Sequence, residues 1–206
     1  MAEKKKKTGI MGGTFNPIHI GHLLLAESAR DSFALDEILF IPSGCSYMKN
    51  AKEVADKRMR LEMTRLAIAD NPFFTLSEAE TVREGSSYTC DTLSLLKAQE
   101  PDTEFFFIVG ADSLFSMESW KNPGSIFSLC TVLAAVRDGK DQEALGVQIQ
   151  YLERKFGAHI EQIRFQEIAV SSTDIRRRIS RNQSVRYMVP DRVISYIEAH
   201  HLYAEE

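Results

Sequence analysis

The sequence predicts an α/β fold, a doubly wound parallel sheet with crossover helices on both faces and two further helices closing the chain. Three observations carry that expectation. Short apolar runs alternate with longer stretches of helical period along the chain, as in successive β-α-β crossovers. One run, "EFFFIVG" at residues 104–110, is apolar without a break from Phe105 to Val109, as a strand covered on both faces must be. Two glycines, Gly12 and Gly13, close the first apolar run just before a helical stretch, where α/β sheets gather their ligands.

Period and punctuation give the elements in order. "TGIMGG" (8–13) reads as a strand and "GHLLLAESARDSF" (21–33) as a helix whose start lies near Ile18, with apolar positions at Leu23, Ala26 and Phe33. "DEILFIPS" (36–43) is the second strand, stopped by Pro42 and Ser43, and residues 44–54 form a polar loop. "DKRMRLEMTRLAIAD" (56–70) repeats Met59, Met63 and Leu66 at helical spacing and ends at Asn71-Pro72. A strand at 73–80, a helix at 88–100, the central strand, short helices over 113–119 and 124–130, and a strand at 131–137 follow. A helix at 141–157, a strand at 159–168 and closing helices at 171–181 and 190–201 complete the chain. No repeat, low-complexity segment or linker interrupts this order, so one domain over residues 1–206 is expected.

Composition narrows the function. The 206 residues are 44% hydrophobic and 26% charged, an ordinary globular balance. The formal net charge of −4 supplies no global field toward nucleic acid or an anionic membrane, so any anion must be held locally. Cys45, Cys90 and Cys130 are odd in number and lack a C-x-x-C pair, which fits reduced thiols better than a disulfide framework or a structural zinc site. No apolar run approaches a membrane span and "AEKKKKTGIM" lacks a signal peptide's apolar region, so the cytoplasm is the expected location. Lys4 to Lys7 reads as a solvated terminus, with a basic phosphate-binding arm as the alternative.

The strand ends carry the chemistry. Gly12 and Gly13 let a ligand approach main-chain N–H groups, and Pro17 is expected to set the helix start. A helix N-terminus behind glycines favours phosphate, yet neither the G-x-G-x-x-G nor the G-x-x-x-x-G-K-[ST] loop is present. His19 and His22, spaced i and i+3, are expected to share one face and point at one spot, with Gly21 keeping that face open. In "VSSTDIRRRIS", Ser171, Ser172 or Thr173 can cap a helix, Ile175 and Ile179 bury, and Arg176 can lend its fork to the same anion. Arg177 and Arg178 are expected to diverge, at least one into solvent. Asp112 beside Gly110 can accept from ribose hydroxyls or orient a metal's water shell, and Trp120 is expected to be partly exposed and able to stack on a flat ring or to cap the core. Tyr88 and Thr89 precede a helix that Ser87 or Thr89 can cap; Lys49 and Arg137 are cations at strand ends.

Together, "GGTFNPIHIGH" and "SSTDIR" resemble the nucleotidylyltransferase superfamily, with its H-x-G-H signature and late S-x-T-x-I-R segment. "SYTCDT", "FFFIVGADSL" with Trp120 shortly after, and the closing "YIEAHHLY" resemble its bacterial nicotinate-nucleotide adenylyltransferase family. The resemblance implies a Rossmann-like fold, ATP (with Mg²⁺) and nicotinate mononucleotide as substrates, and nicotinate adenine dinucleotide and pyrophosphate as products in NAD biosynthesis. It implies that His19, His22 and Lys49 are catalytic. It assigns Gly12, Gly13, Thr14, Phe15, Gly110, Asp112, Ser171, Ser172, Thr173, Ile175 and Arg176 to ATP along with the histidines, and Lys49, Tyr88, Thr89, Asp112, Trp120 and Arg137 to the mononucleotide. Two positions depart from the family's usual pattern: Asn16 stands where aspartate is frequent, and "SYMK" replaces Pro-Pro-His-Lys while keeping Lys49.

Other readings stay open at this point. A phosphopantetheine adenylyltransferase would share both phosphate blocks without using Trp120. A class I aminoacyl-tRNA synthetase fragment would need a K-M-S-K-S segment, which the sequence lacks, and a non-catalytic nucleotide sensor would release no pyrophosphate. Nicotinate against nicotinamide, and a homo-oligomer against a monomer, are also left open.

Overall fold

A computed structural model describes residues 5–44, 54–136, 142–164 and 168–204. Six strands, β1 (Lys7–Gly13), β2 (Glu37–Pro42), β3 (Phe74–Leu76), β4 (Glu104–Val109), β5 (Thr131–Val136) and β6 (Ile160–Arg164), lie in the order β3-β2-β1-β4-β5-β6. β1 pairs with β4, β4 with β5 and β5 with β6, all in parallel. The order reverses at β1 and β4, which makes their carboxyl ends the switch point of the sheet. The helices are α1 (Ile20–Phe33), α2 (Lys57–Ile68), α3 (Thr89–Gln99), α4 (Ala111–Ser116), α5 (Pro123–Leu129), α6 (Gln142–Phe156), α7 (Ser172–Ser180) and α8 (Asp191–Ala199).

The expected α/β order is the observed one, with shifts at element ends. β3 is shorter than the expected 73–80: Ser77 N donates to Phe40 O, and beyond it Thr81 and Val82 both donate to Glu78 O, a turn that takes the chain off the sheet. α4 starts two residues earlier than expected and passes through a 3-10 turn at Met117–Ser119.

The chain forms two compact units, each discontinuous in sequence. The first comprises Met1–Gly12, Leu25–Leu39 and Tyr88–Glu167. Its centre is the apolar length of β4 and β5, where Ile108, Val132, Leu133 and Ala134 are buried together with Leu114, Ile126 and Leu152. Each large apolar side chain removed from water in this way contributes about 1.5–3 kcal/mol. Of the lysine run, Lys5 and Lys6 are exposed as expected, yet Lys6 and Lys7 are also paired. Lys6 lies 2.7 Å from Glu37 and 3.5 Å from Glu100, and Lys7 N donates to Asp36 Oδ2 at 2.8 Å, so these residues fix the start of β1. Cys90 and Cys130 are buried free thiols, Cys130 pushed up to about 12 by burial.

The second unit comprises Gly13–Leu24, Phe40–Ser87 and Ile168–Glu206. Its core joins Phe15, Ile18, Phe40, Met63, Phe74, Ile175, Val193 and Ile197, with ring centroids 6.0 Å apart for Phe15 and Phe40 and 5.0 Å apart for Phe40 and Phe74. Among the described residues no helix is long and apolar enough to cross a membrane.

Candidate active site

The second unit holds the glycine-histidine segment and the serine-arginine segment together. Gly13 leads into Phe15, a buried residue in the left-handed region at φ 47°. A Cβ on Gly13 would stand 2.9 Å from the Phe15 ring, whereas one on Gly12, in the first unit, would meet Phe107 at an ordinary 3.5 Å. The strict need for glycine is therefore at Gly13, and it comes from packing its own neighbour as much as from any ligand.

Pro17 does not start α1 as expected. The Asn16–Pro17 peptide is cis and the helix begins three residues on, at Ile20, whose N–H is taken by Met188 O at 3.0 Å. His19 precedes the helix, and its carbonyl accepts from His22 N at 3.0 Å and Leu23 N at 3.4 Å. The two histidines still meet, by a different route from the expected i, i+3 face: their rings stack with centroids 3.7 Å apart and planes 24° apart. His19 N donates to His22 Nδ1 at 3.2 Å, so Nδ1 carries no proton and the bond assigns the ring proton to Nε2. Half-buried His22, its ring edge-on to Phe15 at 5.1 Å, thus offers an N–H donor.

His19 is only 7% exposed, and its Nδ1 is buried without a hydrogen-bond partner. Burial lowers its pKa to about 4, so the ring is neutral near pH 7. Gly21 does keep space at this ring: a Cβ there would sit 3.2 Å from His19 Nδ1 and Cε1.

Of the three candidates, Ser171 caps α7, its Oγ accepting from Asp174 N at 3.1 Å. Ser172 instead donates to Pro17 O at 2.9 Å, and Arg176 Nη1 donates to Asn16 O at 2.9 Å. The first turn of α7 is thereby bolted to the backbone just before the histidines. Part of the Arg176 fork is already placed by its bond to Asn16 O. Ile175 is fully buried and Ile179 half-buried. Arg177 and Arg178 both pair with Asp174 and Arg178 also donates to Ser184 O at 3.3 Å, while Arg177 is exposed, the solvated arginine that was expected. Thr173 and Arg176 line a cavity of about 530 Å³ with Ala55, His201 and Tyr203.

Two residues of this unit were not singled out from sequence. Arg60 in α2 is 2% exposed and donates Nε to Ala55 O at 2.9 Å, Nη1 to Thr14 O at 2.7 Å and Nη2 to Gly44 O at 2.8 Å. One guanidinium thus ties the glycine turn to the residues on either side of 45–53. Ser43, at the end of β2, donates its N–H to Gly13 O at 2.8 Å and keeps a buried Oγ without a partner.

The first unit holds Gly110, Asp112, Tyr88, Thr89 and Trp120. Gly110 caps α4, and Asp112 lies exposed in its first turn. Trp120 is half-buried as expected; its indole N–H donates to Ser116 Oγ at 3.2 Å and its ring meets Phe107 edge-on at 6.2 Å. α3 is led by Tyr88, with no side-chain cap, in place of the expected Ser87 or Thr89; Ser87 Oγ is instead engaged by Gly44 N at 3.2 Å. Lys121, another residue not anticipated, sits 3.1 Å from Asp91 and 4.2 Å over the Tyr88 ring, which fixes that ring in place. Cys45, Lys49 and Arg137 lie outside the described residues.

Residues 10–178 match the cytidylyltransferase-like family. A protein of Lachnoclostridium phytofermentans, named as a probable nicotinate-nucleotide adenylyltransferase, is 46% identical over 198 residues, covering 96% of this chain and 99% of its own. One of the same name from Thermoanaerobacter is 37% identical over 205 residues, covering 99% and 97%. The solved structure of Plasmodium falciparum nicotinic acid mononucleotide adenylyltransferase complexed with NaAD shares the fold, with a TM-score of 0.79 at 19% identity and coverage of 96% and 97%.

Proposed function

The chain belongs to the cytidylyltransferase-like family and, within it, to the nicotinate-nucleotide adenylyltransferases, and from that premise we propose how its residues act. It transfers the adenylyl group of ATP to nicotinate mononucleotide, giving nicotinate adenine dinucleotide and pyrophosphate. The observation that carries the chemistry is the stacked histidine pair beside the capped α7, in one unit and joined through Asn16 and Pro17.

The mononucleotide's phosphate is largely ionised at neutral pH, so it needs no strong base to attack. Its oxygen bonds to the α-phosphorus of ATP in line while the bond to the β-phosphate oxygen breaks and pyrophosphate leaves, with no covalent enzyme intermediate. Catalysis is then positioning and charge neutralisation. His22 Nε2–H donates to the phosphate oxygens as charge builds, and neutral His19 backs it by stacking and by holding Nδ1 free of a proton. Ser172, Thr173 and Arg176, at the N-terminal end of α7, hold the triphosphate, with the helix dipole adding to the attraction. In the first unit, Trp120 stacks on the pyridine ring while Tyr88, Thr89 and Asp112 fix the mononucleotide.

Mg²⁺ would come with the phosphates of ATP and would neutralise their charge, and Asp112 is the carboxylate that we assign to its water shell. The reaction is assigned to the cytoplasm, where ATP is supplied. The test supplies MgATP with nicotinate or nicotinamide mononucleotide in turn and follows pyrophosphate. Turnover with the acid form is expected, and turnover with neither would overturn the assignment.

A further inference from the structure

The last described residues of the chain reach back to the segment before the histidines. After α8 ends, the backbone enters the left-handed region at His201 (φ 49°) and again at Tyr203 (φ 64°), conformations that residues carrying a Cβ avoid. These two turns seat the Tyr203 hydroxyl 2.8 Å from Asn16 Oδ1, across 187 positions of sequence. Burial holds the phenol above its ordinary range, so it remains a donor through neutral pH.

Asn16 is 2% exposed and its Oδ1 accepts from Ala55 N at 3.0 Å as well. Its main-chain oxygen accepts Arg176 Nη1 at 2.9 Å. Held from both sides through its side chain, Asn16 presents that carbonyl in one direction, and the carbonyl fixes the plane of the Arg176 fork.

We propose that Tyr203 is a positioning residue for the triphosphate: by holding Asn16 it sets the guanidinium of Arg176, and the two side chains line one cavity with Thr173. The proposal rests on the reading of Arg176 as a triphosphate contact. Its effect is expected on ATP, because the relay runs from Tyr203 through Asn16 to Arg176, the residue assigned to the triphosphate.

Tyr203→Phe removes one hydroxyl and keeps the ring. Calorimetric titration of the full chain with MgATP, and steady-state kinetics with both substrates, read the effect. MgATP Kd and KM are expected to rise about 3- to 10-fold, the worth of one hydrogen bond. The KM for nicotinate mononucleotide and kcat are expected to stay within about twofold of the parent values. In an Arg176→Lys background the same change adds less than about twofold, since the fork it positions is gone. An MgATP Kd within twofold of the parent, equal weakening of both substrates, or full additivity with Arg176→Lys overturns the proposal. The calorimetry decides it without turnover, so a parent enzyme that fails to transfer adenylyl would sink the functional assignment and leave this test standing.

Discussion

Replacing Arg60 with methionine keeps much of the side-chain volume and removes every donor. The carbonyls of Thr14, Gly44 and Ala55, now served at 2.7–2.9 Å, would lose that partner in a site where Arg60 is 2% exposed. An orphaned buried acceptor costs about 1–3 kcal/mol, so three sum to roughly 3–9 kcal/mol. Removing a buried charge recovers part of its desolvation, which brings the net loss to about 3–5 kcal/mol. For a chain of this length, at about 2–4 °C per kcal/mol, Tm should fall by roughly 10 °C. Arg60→Lys keeps the charge but cannot reach three carbonyls from one nitrogen, so it should also lower Tm. Circular-dichroism melts of the three proteins measure this directly. Because Thr14 belongs to the glycine turn, the methionine variant should also show a raised KM for ATP. A methionine variant melting within about 2 °C of the parent would refute the clamp.

His22→Ala removes the Nε2–H donor and should lower kcat by roughly 10²-fold or more, with melting little changed; undiminished turnover would reassign the donor. His19 titrates at about 4 against an ordinary 6.5, a lowered value. Its neutral form is the native one, so stability is present above pH 6.5 and is lost as pH falls from 6.5 toward 4. Urea titrations at pH 7 and pH 5 should show the parent losing roughly 2 kcal/mol more than His19→Gln, and equal losses would show that the ring is not buried neutral. Trp120→Leu should raise the KM for nicotinate mononucleotide by roughly 10-fold and leave that for ATP unchanged, since only the pyridine is stacked. A matched rise for both substrates would mean that the indole serves packing.

Much of the fold was legible because the buried strands advertise themselves. β4 and β5 carry unbroken apolar runs, and Gly13, Ser171 and the two histidines mark the strand and helix ends where chemistry gathers. Boundaries were less legible because hydrogen bonds from remote residues set them. Met188 takes the Ile20 N–H, and with it the start of α1, an effect with no local signature. Arg60 was missed for the same reason. In "DKRMRLEMTRL" a helical arginine reads as surface, and its three acceptors are backbone atoms that every residue possesses. Asn16 drew notice as a departure from the family pattern, but its link to Tyr203 spans nearly the whole chain and becomes visible only once the chain is folded. The pairing of the exposed Lys6 was not legible because its partners, Glu37 and Glu100, are distant in sequence.

The central claim is direct in-line transfer of the adenylyl group to nicotinate mononucleotide. It is tested most directly by running the reaction with one diastereomer of ATP carrying sulfur on the α-phosphorus and determining the configuration of the dinucleotide formed. A single displacement inverts that centre, and inversion is the expected result. Retention would mean two displacements through an adenylylated enzyme and would contradict the account.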